Sequence, residues 1–118
     1  LCTDIQSNPE DLYVFGDNAQ RVGMGGQAYY MRGERNAIGI ATKWTPSNDP
    51  TAFFYDAEIN EIKYIWHMDS TRLIQHLLKG GKVIWPEDGI GTGLSAVPEH
   101  APKVWEWMEQ YRKDLELI

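Results

Sequence analysis

Two short apolar runs each pass directly into a glycine-rich loop, and that pairing limits the fold more than any other feature of the chain. The first run, Leu12-Tyr13-Val14-Phe15, leads into Gly16-Asp17-Asn18-Ala19-Gln20-Arg21-Val22-Gly23-Met24-Gly25-Gly26-Gln27-Ala28. The second, Val83-Ile84-Trp85, leads into Asp88-Gly89-Ile90-Gly91-Thr92-Gly93. Short apolar runs bounded by turn signals fit buried strands. Helical patterns lie between them, and strands alternating with helices predict an α/β chain with a mainly parallel sheet covered by helices. Ligands of such sheets bind at the carboxyl ends of the strands, where both loops fall. Glycine lets main-chain N–H groups approach an anion closely. Two such loops predict one divided site for a diphosphate-containing ligand, walled by Gly16, Gly23, Gly25, Gly26, Gly89, Gly91 and Gly93.

The 118 residues, 42% of them hydrophobic and five of them tryptophan, fit a single folded domain over residues 1–118 that needs no disulfide or metal. A net charge of −6 opposes non-specific nucleic-acid binding, which requires a positive footprint. A local basic pocket is still compatible with the sequence, because Arg21, Arg32, Arg35 and Lys43 fall in its first third. The single cysteine, Cys2, allows no internal disulfide and points to a reducing, cytoplasmic setting. No run approaches the roughly 20 apolar residues of a membrane span, and no signal peptide is recognisable. The opening residue is Leu1 rather than Met, which leaves the natural N-terminus open. His67, His76 and His100 lack metal-ligand spacing and read as surface or satisfied core residues. Neither a metal nor a cofactor is expected.

Residues 1–11, with Asn8-Pro9, read as a lead-in turn. Strands are expected over 12–15, 37–42 and 82–85, the last one buried. Gly39 marks a point of close packing in the second. A short helix over 26–32 would end at Gly33-Glu34-Arg35-Asn36 and direct its N-terminal N–H groups and dipole at the site. Ile59, Ile62, Trp66, Leu73 and Leu77 share a helical face that Asp69-Ser70 can divide, and Gly80-Gly81 ends it. A last helix starts near Pro98 or Pro102 and buries Val104, Met108, Tyr111 and Leu115. Trp105 and Trp107 cannot share one face of it, so one of them is expected to be exposed, marking a contact between copies in a homo-oligomer.

The polar residues among the glycines suit a ligand better than a simple chain reversal. Arg21 can pair with phosphate, Asn18 can donate to and accept from a sugar hydroxyl, and Gln27 adds an amide. Asp17 either caps its own turn or serves as a base. Thr92 either donates its hydroxyl to a phosphate or, like Ser95, caps the helix that follows. Thr42-Lys43-Trp44 ends the middle strand: Lys43 either neutralises a phosphate or lies on the surface, and Trp44 either stacks on a base or belongs to the core. Phe53-Phe54 read as core, and Asp88 as solvated.

The segment Val14-Phe15-Gly16-Asp17-Asn18 followed by Gly23-Met24-Gly25-Gly26-Gln27-Ala28 resembles the asparagine-ended strand and glycine loop of macrodomains. Ile90-Gly91-Thr92-Gly93-Leu94-Ser95-Ala96-Val97-Pro98 is similar to their late diphosphate loop. The two segments cover about a third of the chain, and the nearest likeness is to a small macro-like group of bacteria and phages. The resemblance implies a three-layer α/β/α fold and a site for ADP-ribose or a related NAD-derived nucleotide. It implies that Asn18 contacts the distal ribose beside Gly25 and Gly26, and that Gly91, Thr92 and Gly93 hold the diphosphate. Macrodomains are usually longer, and the aspartate that reads adenine belongs to a Gly-Asp-Ile element; Gly16-Asp17 lies elsewhere, so that role is not carried over.

Binding of such a nucleotide is therefore expected. If the chain is also an ADP-ribosyl hydrolase, Asp17 is the available base and Asn18 orients the sugar. Two other functions fit parts of the sequence. Pro86 to Thr92 looks somewhat like the loop of lysine-decarboxylase-like phosphoribohydrolases, although it has one residue too many and lacks their paired glycines. The lack of a clear acid–base pair favours a non-catalytic nucleotide sponge or sensor.

Overall fold

The computed structural model describes residues 2–118; Leu1 lies outside them, as do the side chains of Cys2 and Thr3, so the readings of the chain start and of the Cys2 thiol are outside the described residues. Helix α1 (Cys2–Ser7) precedes strand β1 (Leu12–Asn18), which is followed by the single helical turn α2 (Ala28–Met31) and strand β2 (Ala37–Lys43). Two 3₁₀ turns (Pro50–Ala52 and Asp56–Glu58) lead to α3 (Ile59–Asp69) and α4 (Thr71–Leu78). Then come β3 (Val83–Ile84), α5 (Val97–His100) and α6 (Pro102–Leu115). Both prolines expected to open the last helix do open one. Among the described residues, no helix is long and apolar enough to cross a membrane.

The sheet is parallel, in the order β2-β1-β3. Side chains alternate along a strand, so β1 faces two cores. Leu12 and Val14 join the larger core with Ile40, Ile62, Trp66, Leu73, Val104 and Met108. Tyr13 and Phe15 join the smaller with Ile5, Ala28 and Met31. The result is a three-layer α/β arrangement: α1 and α2 cover one face, and α3, α4 and α6 cover the other. Burying Val14 completely contributes about 1.5–3 kcal/mol, and a strand covered on both faces reads as a continuous apolar run.

Several expectations need correction. Residues 2–7 form a helix rather than a turn, because Ile5 is fully buried and the Asn36 amide donates to the carbonyls of Ile5, Asn8 and Asp11. The expected helix over 26–32 shrinks to one turn, too short to supply a useful dipole. Strand β3 pairs over only two residues and is half-buried. Tyr111 is likewise only half-buried. Trp105 and Trp107 are both half-buried against the larger core, so neither is the exposed tryptophan expected to mark an oligomer contact. The division at Asp69-Ser70 is real: the Ser70 hydroxyl lies 2.7 Å from the Trp66 carbonyl and 2.6 Å from the Tyr111 hydroxyl.

Helix side chains close the outer edge of β2. The Ala41 N–H donates to Asp69 (2.9 Å), the Ala41 carbonyl accepts from the Trp66 indole (2.8 Å), and the Ala37 carbonyl accepts from Arg72 (3.1 Å). An exposed ladder of this kind otherwise recruits another strand.

Candidate functional site

Strands β1 and β3 are neighbours whose chains leave the sheet toward opposite faces, β1 into α2 and β3 into α5 and α6. That divergence opens a crevice beyond their carboxyl ends, the position where open α/β sheets bind ligands. A cleft of about 220 Å³ occupies it, lined by both glycine loops and by the end of β2. Of the residues singled out in the sequence, Gly16, Asp17, Asn18, Gly23, Gly25, Gly26, Gln27, Thr42, Lys43, Gly89, Gly91, Thr92 and Gly93 line it. Arg21 does not; its guanidinium pairs with Asp69 and comes within 3.9 Å of Asp17.

The first loop (residues 19–27) is held by side chains outside its own backbone ladder. Asn18 accepts the Gln20 N–H (3.0 Å) and donates to the Val22 carbonyl (2.8 Å). Arg32 donates to the carbonyls of Gly23 (2.7 Å) and Val22 (3.3 Å) while pairing with Asp17 (2.6 Å). Gln27 bridges the two walls: its side-chain oxygen accepts the Gly16 N–H (2.8 Å) and its amide donates to the Gly89 carbonyl (3.3 Å). Gly16 needs that partner because the β1–β3 ladder ends at Tyr13.

The second loop turns at Gly91, where φ is +89° and a Cβ would come within 3.2 Å of Val97. Among the described residues, two non-glycine residues have positive φ, Arg21 (59°) at the first loop and Ala96 (46°) closing the second. Strained backbone of this kind concentrates at ligand sites. Among the described residues, the main-chain N–H groups of 22–27 and of 90–95 donate to nothing within the chain. All of these residues except Met24 and Ile90 line the cleft.

The side chains divide into engaged and free. Both Asp17 oxygens are occupied: one accepts from Arg32 (2.6 Å) and the Asn18 N–H (2.8 Å), the other from Arg32 again (3.2 Å). Asp17 therefore has a structural job and is poorly placed to act as a base, and Asn18 shapes the loop. The Thr92 hydroxyl donates to the Asp88 carbonyl (3.1 Å) and the Thr42 hydroxyl to the Asp17 carbonyl (3.1 Å), so neither proton is free for a phosphate. Neither Thr92 nor Ser95 caps α5, whose N-cap is Ala96. Trp44 packs edge-on to Phe54 and donates to Glu58 away from the cleft, so it belongs to the core rather than to a base-stacking platform.

Lys43 differs from Arg21 and Arg32, which both pair with carboxylates. Only 8% exposed, it donates to the Ser47 carbonyl (2.6 Å), lies over the Phe53 ring, and has no carboxylate partner among the described residues. Burial lowers its pKa from the usual lysine value. Behind the cleft, burial pushes the Asp69 carboxyl up, against the Ala41 N–H and the Arg21 guanidinium that hold it down. Ionisable lining side chains are Asp17, Arg32 and Lys43, one carboxylate against two cations, in a molecule of net charge −6.

Arg32, named in the sequence only as part of a possible basic pocket, lines the cleft, whereas Val22, Leu94 and Ser95 were not singled out as lining residues. Ser95 is 8% exposed, and its hydroxyl has no hydrogen-bond partner among the described residues. Nothing local in the sequence distinguishes it from a cap; its freedom follows from the αL turn at Ala96.

The family model of unknown function DUF7831 matches residues 1–111. The chain belongs to that family. No curated protein and no solved structure matches this DUF7831 chain.

Proposed function

We propose that the cleft binds a nucleotide of the ADP-ribose type through its diphosphate, and that the protein is a binding module rather than a hydrolase. One observation carries this reading. Two glycine loops from adjacent strands meet at one crevice, and ten of the lining residues (Val22, Gly23 and 25–27 from the first loop, 91–95 from the second) have N–H groups with no acceptor among the described residues, beside a buried lysine with no carboxylate partner among them. Preorganised N–H groups bind phosphoryl oxygens without reorganisation. Among the described residues the one lining carboxylate, Asp17, is engaged on both oxygens, which argues against acid–base chemistry. Isothermal titration with ADP-ribose, NAD, ADP and adenosine tests the reading. Heat is expected from the diphosphates and none from adenosine. Gly91→Val, which puts a branched side chain at φ +89°, should abolish it. No heat from any diphosphate at millimolar concentration overturns the proposal.

A further inference from the structure

The buried residues that line the cleft are mostly polar, and its exposed rim carries large apolar side chains. The buried polar ones are Asp17, Asn18, Thr42, Lys43 and Ser95; the first three are engaged within the chain, Lys43 has no carboxylate partner and the Ser95 hydroxyl is unpartnered among the described residues. At the mouth, Val22 from the first loop and Leu94 from the second are 48% and 79% exposed, although both line the cleft. An inorganic anion or a bare sugar phosphate gains nothing from an apolar rim. A ligand with a flat aromatic ring beyond its phosphoryl groups gains from both ends. We infer that the ligand seats its phosphoryl oxygens on Ser95 Oγ and Lys43 Nζ, and that Val22 and Leu94 hold its nucleobase across the entrance. This rests on the nucleotide-binding reading and specifies how that site chooses its ligand. Ser95 can donate its one proton to a phosphoryl oxygen because no acceptor among the described residues claims it. Leu94 owes its exposure to the second loop, whose turn at Gly91 and αL closure at Ala96 carry residues 92–94 outward.

The test compares pyrophosphate, ribose 5-phosphate and ADP on the unmodified protein and on the variants Ser95→Ala and Leu94→Ser. Melting temperatures confirm that both variants fold, which exposure favours for Leu94. Ser95→Ala is expected to weaken all three ligands about tenfold, the loss of one hydrogen bond to a charged group. Leu94→Ser is expected to weaken ADP about fivefold relative to pyrophosphate, which serves as the internal reference. Equal affinities for ADP and ribose 5-phosphate, or a Leu94→Ser variant with an unchanged ADP-to-pyrophosphate ratio, overturn the assignment of the mouth. A Ser95→Ala variant with full affinity overturns the assignment of the seat. In both cases phosphate compounds still bind, so the nucleotide-binding reading stands. If none of the three binds the unmodified protein, this inference falls, and the nucleotide-binding reading falls with it when ADP-ribose and NAD also give no heat.

Discussion

Gly39 shows how one absent side chain can set the chemistry of a site. A Cβ there would lie 2.5 Å from an Asp17 carboxylate oxygen, so the glycine makes room for the buried carboxylate that anchors Arg32, and Arg32 in turn holds the carbonyls of Val22 and Gly23. Gly39→Ala must displace the carboxylate from its partners. It is expected to cost about 2–4 kcal/mol of unfolding free energy, by overpacking and by loosening a buried ion pair. The midpoint of urea unfolding measures it. Close packing at Gly39 was legible in the sequence, because an isolated glycine in a strand marks close approach. Its partner was not: Asp17 and Gly39 are brought together by the register that pairs Phe15 with Gly39, and register is a property of the folded sheet.

Elements were legible where hydrophobic periodicity is strong. The stripe Ile62, Trp66, Leu73 located α3 and α4, and Val104, Met108, Leu115 located α6, because each set repeats at helical spacing. Periodicity failed at α1, where Ile5 is the one buried side chain among the described residues and makes no stripe, and at β3, whose apolar run outlasts its ladder. The indole of Trp66 has a second role at this scale, since its N–H satisfies the Ala41 carbonyl at the edge of β2. Trp66→Phe keeps an aromatic ring in the core but leaves that carbonyl unpaired. Stability should fall by about 2–4 kcal/mol, the sum of a small cavity and an orphaned acceptor. Hydrogen exchange along Ala37–Lys43 should accelerate beyond that of α6, which separates a local loss at the edge from global destabilisation.

Charge is best considered over the whole molecule. An acidic protein of net charge −6 repels an anionic ligand at long range, so capture depends on short-range donors and on Lys43. Burial lowers the Lys43 pKa, so its ammonium is lost at a lower pH than the usual 10.5. The ligand requires the protonated form, and its affinity should therefore fall as pH rises through that lowered value. Titrations from pH 7 to 10 check this. In Lys43→Arg the decline should vanish, because guanidinium stays charged throughout. The location of the site was legible from the two loops and the rule for parallel sheets. The division of labour inside it was not, because Arg21, Asp17, Asn18 and Thr92 each found a protein partner that only the fold supplies.

The two walls of the cleft are rooted in different cores. The first loop runs into α2, whose Ala28 and Met31 pack with Ile5, Tyr13 and Phe15, while the second loop returns to the larger core through Val97 and Ala101. A molecule spanning both walls would act as a clasp between a light half and a heavy one. The light half, with little packing of its own, would draw the greater part of its cohesion from whatever the clasp holds.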